Sequence, residues 1–205
     1  MVGWSLTKEE NIWKPEDRTS SNWGRVREYT LLTAPLISTR TTIPTHEWAS
    51  GINALYREVR ASLERQSIQP LIEYVIMVLV RYEEVPNGQL ALEVGIVVEE
   101  ARSNDPRMFP GTLPDGTSAM LPQKCFRSLA GTGYSEETDR EYMGPADPRI
   151  IAEEGFEALE EWSVYEKKPL IGQPWIMFMV SPQDPQEVPV ADAFVRFEVH
   201  RLLKN

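Results

Sequence analysis

Few side chains in this 205-residue sequence have the types and spacing that chemistry requires. The two histidines, His46 and His200, stand in different halves, and neither has a cysteine or carboxylate at a metal-ligand spacing, so no metal site is expected. Gly131-Thr132-Gly133 lacks a third glycine and a following lysine, which removes a phosphate cradle and with it any nucleotide cofactor. Cys125 has no histidine near it in sequence and reads as a buried, inert thiol. What remains is a set of aromatic rings and strand carboxylates. Tyr82 lies four residues before Pro86, and Phe178 lies four before Pro182. Along the second run, Ile176 and Phe178 alternate with Trp175, Met177 and Met179, so only one set can face a site; we assign it to Ile176 and Phe178. Glu93 and Glu198 lie in the last strand of each half and could supply a negative charge to a cation, against the plainer reading of solvated carboxylates.

Helices and strands must position these groups. Trp48, Ile52, Leu55, Tyr56, Val59 and Leu63 recur at helical spacing and predict a helix over 46–66, opening near Thr45 after Pro44. Asp147 followed by Pro148 supplies a cap and a first-position proline, and Ile151, Gly155, Leu159 and Trp162 carry the stripe of a second helix over 148–166. Trp48, Tyr56, Phe156 and Trp162 lie on those stripes, where core packing competes with a role in a site. Leu71 to Val80 reads as a buried strand, being about half the roughly 20 residues a membrane-spanning helix needs and containing Glu73.

Gly51 to Glu58 matches Gly155 to Trp162 at a constant offset, and helix, strand, turn proline and strand follow in the same order in both halves. The expected organisation is an extension over 1–28 holding Trp4, Trp13 and Trp23, a first half over 29–100, a Pro- and Gly-bearing connector over 101–116, and a second half over 117–205. The expected fold class is α+β. Two tandem β-α-β-β half-repeats join their strands into one antiparallel sheet, with both helices on one face and a ligand groove between them.

Charge narrows the partners. Lys and Arg total 21 against 31 Asp and Glu, a formal charge of −10, which disfavours nucleic acid and an anionic membrane surface. A single cysteine excludes an internal disulfide, and Met1 to Asn11 lacks the pattern of a secretory signal, so the expected location is the cytoplasm.

Three runs carry a resemblance: Glu141-Tyr142-Met143-Gly144-Pro145, the helix Glu154 to Trp162, and Gly172-Gln173-Pro174-Trp175-Ile176-Met177-Phe178-Met179-Val180-Ser181-Pro182. Together with Leu113-Pro114-Asp115-Gly116 and the Tyr82 to Pro86 turn, they resemble successive motifs of the GyrI-like family over about residues 30–203. That family, also seen as effector-binding domains of bacterial transcription regulators, implies tandem β-α-β-β folds that hold bulky aromatic, often cationic molecules between the helices. Some stand-alone members hydrolyse cyclopropane-bearing toxins, and one is a gyrase inhibitor.

The family usually has a glutamate and a tyrosine two residues apart before the second-half proline; an ungapped match puts Ile176 and Phe178 there. Isoleucine can neither pair with a cation nor act as a base, which weakens the hydrolase reading and favours an apolar pocket. Tyr82, the first-half counterpart, keeps its hydroxyl. The resemblance and the spacing together give Tyr82, Phe178, Ile176, Trp48, Tyr142, Trp162, Trp175 and Glu93 as the ligand-binding set. No helix-turn-helix fits in the 28 or so extra residues, so the expectation is a stand-alone binder of hydrophobic aromatic molecules. The alternatives are a hydrolase using Glu93 or Glu198, and a protein-interaction module for a basic partner.

Overall fold

The computed structural model describes residues 25–72, 75–127, 132–135, 140–143, 148–181, 188 and 194–204. Its elements run β1 (Arg27–Leu31), β2 (Pro35–Pro44), α1 (Trp48–Gln66), β3 (Ile76–Val85), β4 (Gln89–Val97), β5 (Phe109–Thr112), β6 (Gly116–Arg127), β7 (Thr132–Ser135), β8 (Arg140–Met143), α2 (Pro148–Glu166), β9 (Leu170–Val180) and β10 (Phe194–Leu203). All the strands belong to one antiparallel sheet, ordered β5-β2-β4-β3-β9-β10-β6-β7-β8, with β1 beside the first part of β6. The fold is mixed α+β.

The six apolar residues of the α1 stripe are all buried, as a helix packed along one face requires. A 3-10 turn, Thr45–Glu47, precedes α1. Thr45 does not cap it with its side chain; both its N–H and its hydroxyl donate to the Gly88 carbonyl, at 3.0 and 2.9 Å. This ties the start of α1 to the β3–β4 turn, where Asn87 and Gly88 take left-handed φ values of 70° and 67°. At the other end Ser67 turns left-handed, and the N–H groups of Ser67 and Ile68 return to the carbonyls of Glu64 and Leu63.

Strand alternation then decides what meets the helices. Val78 and Val80 of β3, Leu92 and Val94 of β4, Ile176 and Phe178 of β9, and Val199 of β10 share one core with Ile52, Leu55, Ile151 and Leu159 of the two helices. Both helices therefore lie on the same face. The opposite face carries a smaller apolar layer: Leu36, Met77, Leu79, Val97, Trp175 and Met177, with Ala34 and Leu113.

Two stretches differ from expectation. The strand anticipated at Leu71 begins at Ile76, because Pro70 and Leu71 are held across Val97 and Val98 by a bridge and by the bond from Leu71 N–H to the Val97 carbonyl. Leu71 and Ile72 pack instead on the second layer. The connector carries a strand of its own, β5, paired with β2, and Asp105 fastens the connector to α1 through Ser62 (3.2 Å) and Arg65 (3.1 Å).

Each half contains β-α-β-β in the same order, β2-α1-β3-β4 and β6-α2-β9-β10, the second with the strands β7 and β8 inserted between β6 and α2. Two glycines mark the same point in each. A Cβ added at Gly51 would lie 2.5 Å from Ile43 of β2 and 3.2 Å from Leu92 of β4; one at Gly155 would lie 2.8 Å from Val199 of β10 and 3.0 Å from Gln123 of β6. Helix and sheet approach so closely there that a side chain must move to admit a Cβ. Leu55 and Leu159, one turn further on, are both buried. Leu92 pairs with Tyr82 and Val199 with Ile176, so the residue corresponding to Tyr82 is Ile176. The match of Tyr82 to Phe178, counted back from the turn prolines, is two residues out of step. Counting back from a proline fails because the two connections differ: β3 passes to β4 across only 86–88, whereas 181–193 separate β9 from β10.

Candidate functional site

Three aromatic rings from three elements meet on the helix side of the sheet. Tyr82 of β3, half-buried, has the Trp48 ring of α1 edge-on at 6.1 Å and 84°, and the Phe156 ring of α2 tilted at 6.5 Å and 48°. Each ring has a structural reason for its place. Trp48 opens α1 next to the turn that receives Thr45, Phe156 follows the glycine that lets α2 close on Val199, and Tyr82 sits beside Leu92. The rings thus bridge the two helices across the sheet. Below them Ile176 and Phe178 are fully buried, with Phe178 against Phe197 at 5.5 Å.

Polar groups frame this cluster. The indole Nε1 of Trp48 is buried and has no acceptor among the described residues. Asn53, buried on α1, accepts the N–H of Val188 at 2.8 Å, and Val188 enters the same core. A piece of the β9–β10 connection is thereby fastened to the first helix. Arg149, in the first turn of α2, pairs with Glu153 and lies 3.9 Å from Glu84, two residues beyond Tyr82.

Of the residues assigned from sequence, Tyr82 and Trp48 come together, and Ile176 and Phe178 lie on the same face beneath the helices. Glu93 and Trp175 do not join them. Both occupy the opposite parity of their strands and point to the helix-free face, which corrects their assignment to a groove between helices. Glu93 accepts from Ser38 at 2.8 Å and Arg40 at 3.2 Å, lies 3.6 Å from Arg81, and lines a cavity of about 480 Å³ to which Arg81, Tyr82, Leu92 and Gln173 also contribute. Trp175 stacks on His200 at 5.2 Å and 8°, and His200 reaches Glu198 at 3.1 Å and Ser118 at 3.3 Å. Glu198 thus also belongs to that face. Trp162 is a core residue of α2, with the Lys168 ammonium over its ring at 5.8 Å. Tyr142 lies in β8, and its side chain is outside the described residues.

The sequence does not single out Asn53, Val188 or Arg149, and it leaves Phe156 between core packing and a role in a site. Phe156 was within reach, since it follows the glycine that already matched Gly51. Asn53 gave no signal, because a polar residue on an apolar stripe looks like a tolerated exception until its partner is known.

No family model and no curated protein matches the chain. Among solved structures, the C-terminal domain of EcmrR is similar over 88% of this chain and 97% of that one, with a TM-score of 0.60 and 13% identity. EcmrR in its complex with DNA gives the same TM-score and identity, and there the chain spans 57% of the other's length. SAV2435, solved bound to tetraphenylphosphonium, is similar over 88% of this chain and 94% of that one at a TM-score of 0.48 and 11% identity. The architecture of this chain, two helices on one face of a single antiparallel sheet, is the fold of the EcmrR C-terminal domain.

Proposed function

We propose that the chain binds bulky, flat apolar small molecules between its two helices, for sequestration or sensing. The observation that carries this reading is the bridge of Trp48, Tyr82 and Phe156, in which a half-buried ring from the sheet stands between rings from both helices. Apolar area supplies most of the affinity in such a place, and ring-on-ring geometry adds about 0.5–1.5 kcal/mol per aromatic pair. The GyrI-like resemblance of the second-half motifs points the same way.

Fluorescence titration with an uncharged environment-sensitive dye tests the proposal. Tyr82→Ala should weaken binding several-fold or more while far-UV circular dichroism stays unchanged, because a half-buried wall residue tolerates truncation better than a closed core. Dye affinity unchanged in folded Tyr82→Ala would remove the cluster from the site. A hydrolytic reading has less support: Ile176, at the position where the resembled family carries glutamate, is fully buried and has no acid–base chemistry.

A further inference from the structure

The charges around the aromatic cluster determine which ligands it can hold, and resting on the small-molecule reading above, we infer that its occupant is a neutral planar aromatic bearing a hydrogen-bond acceptor. The floor is apolar, formed by Ile176, Phe178, Val80 and Leu92. The neighbouring strand carboxylates face away: Glu93 is held by Ser38 and two arginines on the helix-free face, and Glu198 by His200. On the helix side Glu84, two residues beyond Tyr82, and Glu153 of α2 both stand beside the guanidinium of Arg149. Glu84 is largely exposed, so the field of its carboxylate is screened by water.

Among the described residues, a cation placed among Trp48, Tyr82 and Phe156 would therefore lose its hydration without meeting a buried counter-charge on the helix side of the sheet. Cation–π attraction to the rings is smaller than that loss, so charge counts against binding. A neutral aromatic gives up little. Trp48 sharpens the class: its indole N–H is buried with no acceptor among the described residues, and an unmade hydrogen bond in that setting is costly. A carbonyl or ring nitrogen on the ligand supplies the missing acceptor.

The test uses three probes of similar size on the full chain, read by tryptophan fluorescence and by calorimetry: 2-acetylnaphthalene, 2-ethylnaphthalene and N-methylquinolinium. The acetyl compound should bind at least about ten-fold more tightly than the quinolinium and several-fold more tightly than the ethyl compound. Trp48→Phe keeps an aromatic ring and removes the donor, and should bring the acetyl compound down to the affinity of the ethyl compound. Arg149→Gln removes the positive charge beside Glu84 and Glu153, and should raise quinolinium affinity several-fold without needing a change in the core. Quinolinium binding as tightly as the acetyl compound overturns the inference while leaving the small-molecule reading intact; so does an acetyl preference that survives in Trp48→Phe. Failure of all three probes to bind removes the small-molecule reading and this inference with it.

Discussion

Adding one methyl group at each helix–sheet contact should affect the two halves unequally, and in the order opposite to the bare distances. The tighter approach is at Gly51, where a Cβ would lie 2.5 Å from Ile43 Cδ1, against 2.8 Å from Val199 Cγ2 at Gly155. Ile43 Cδ1, however, is the far end of a side chain that can rotate away, whereas Val199 is a fully buried β-branched residue whose methyls are fixed by a single stiff torsion. Gln123 Nε2, at 3.0 Å, closes the other side. Alanine gains roughly 0.8–1 kcal/mol over glycine in a helix, and overpacking a tight site costs about 1–3 kcal/mol. If Ile43 yields, Gly51→Ala should lie within about 1 kcal/mol of the parent; Gly155→Ala should be destabilised by about 1–2 kcal/mol, because its neighbours do not yield. Urea unfolding followed by circular dichroism measures both, with an unchanged slope indicating that stability alone has moved. The same displacement of α2 carries Phe156 away from Tyr82, so Gly155→Ala should also weaken dye binding. Gly155→Ala as stable as Gly51→Ala, with dye affinity unchanged, would refute the argument that α2 is seated by contact at Val199.

Other substitutions probe the surroundings of the cluster. Ile176→Glu places a carboxylate in a fully buried site and should cost several kcal/mol at pH 8. Burial raises the folded pKa of that glutamate, so the cost should shrink as pH falls towards the unfolded value near 4.3; urea midpoints at pH 8 and pH 4.5 check the sign. Asn53→Ala leaves the Val188 N–H without its acceptor and should lower stability by about 1–3 kcal/mol in the same unfolding experiment. The side-chain and backbone hydrogen bonds of Arg107 hold the Asp105 carboxyl well below the usual carboxylate range. Its contribution is therefore fully present above the unfolded pKa near 3.9 and is lost progressively as pH falls from there to the lower folded value, so Asp105→Asn should narrow the stability difference between pH 5 and pH 2.

The helices were legible because a 3.6-residue period leaves one solution: every apolar residue of the α1 stripe is buried, and α2 spans the predicted 148–166. Capping was less so, since Thr45 spends its hydroxyl on Gly88, a contact that exists only once the β3–β4 turn has folded back on the helix. Strand faces were harder for a physical reason. In β3, Ile76 to Val80 are buried on both sides of the sheet, so polarity does not alternate and the sequence cannot say which residues meet the helices. β4 was different. There Leu90, Leu92, Val94 and Ile96 alternate with Ala91, Glu93 and Gly95, and the apolar set had to be the one under the helix.

Glu93 could have been excluded from the groove on its own strand, and once it is excluded the charge of the site follows. The pairing of β4 with β3 sets Leu92 against Tyr82 and Glu93 against Arg81, so a carboxylate at that register necessarily serves the helix-free face. The pairing of β10 with β9 does the same for Glu198, which lies opposite Met177. In both halves, therefore, the acid of the closing strand points away from the aromatic cluster, and the residue that might have replaced it on the near side is Ile176. Among the described residues, the absence of a negative floor is thus a property of strand parity in both halves. Reversing it takes a carboxylate on the helix side of the sheet, where burial makes it costly, or the loss of Arg149 at the rim, where Glu84 and Glu153 already stand.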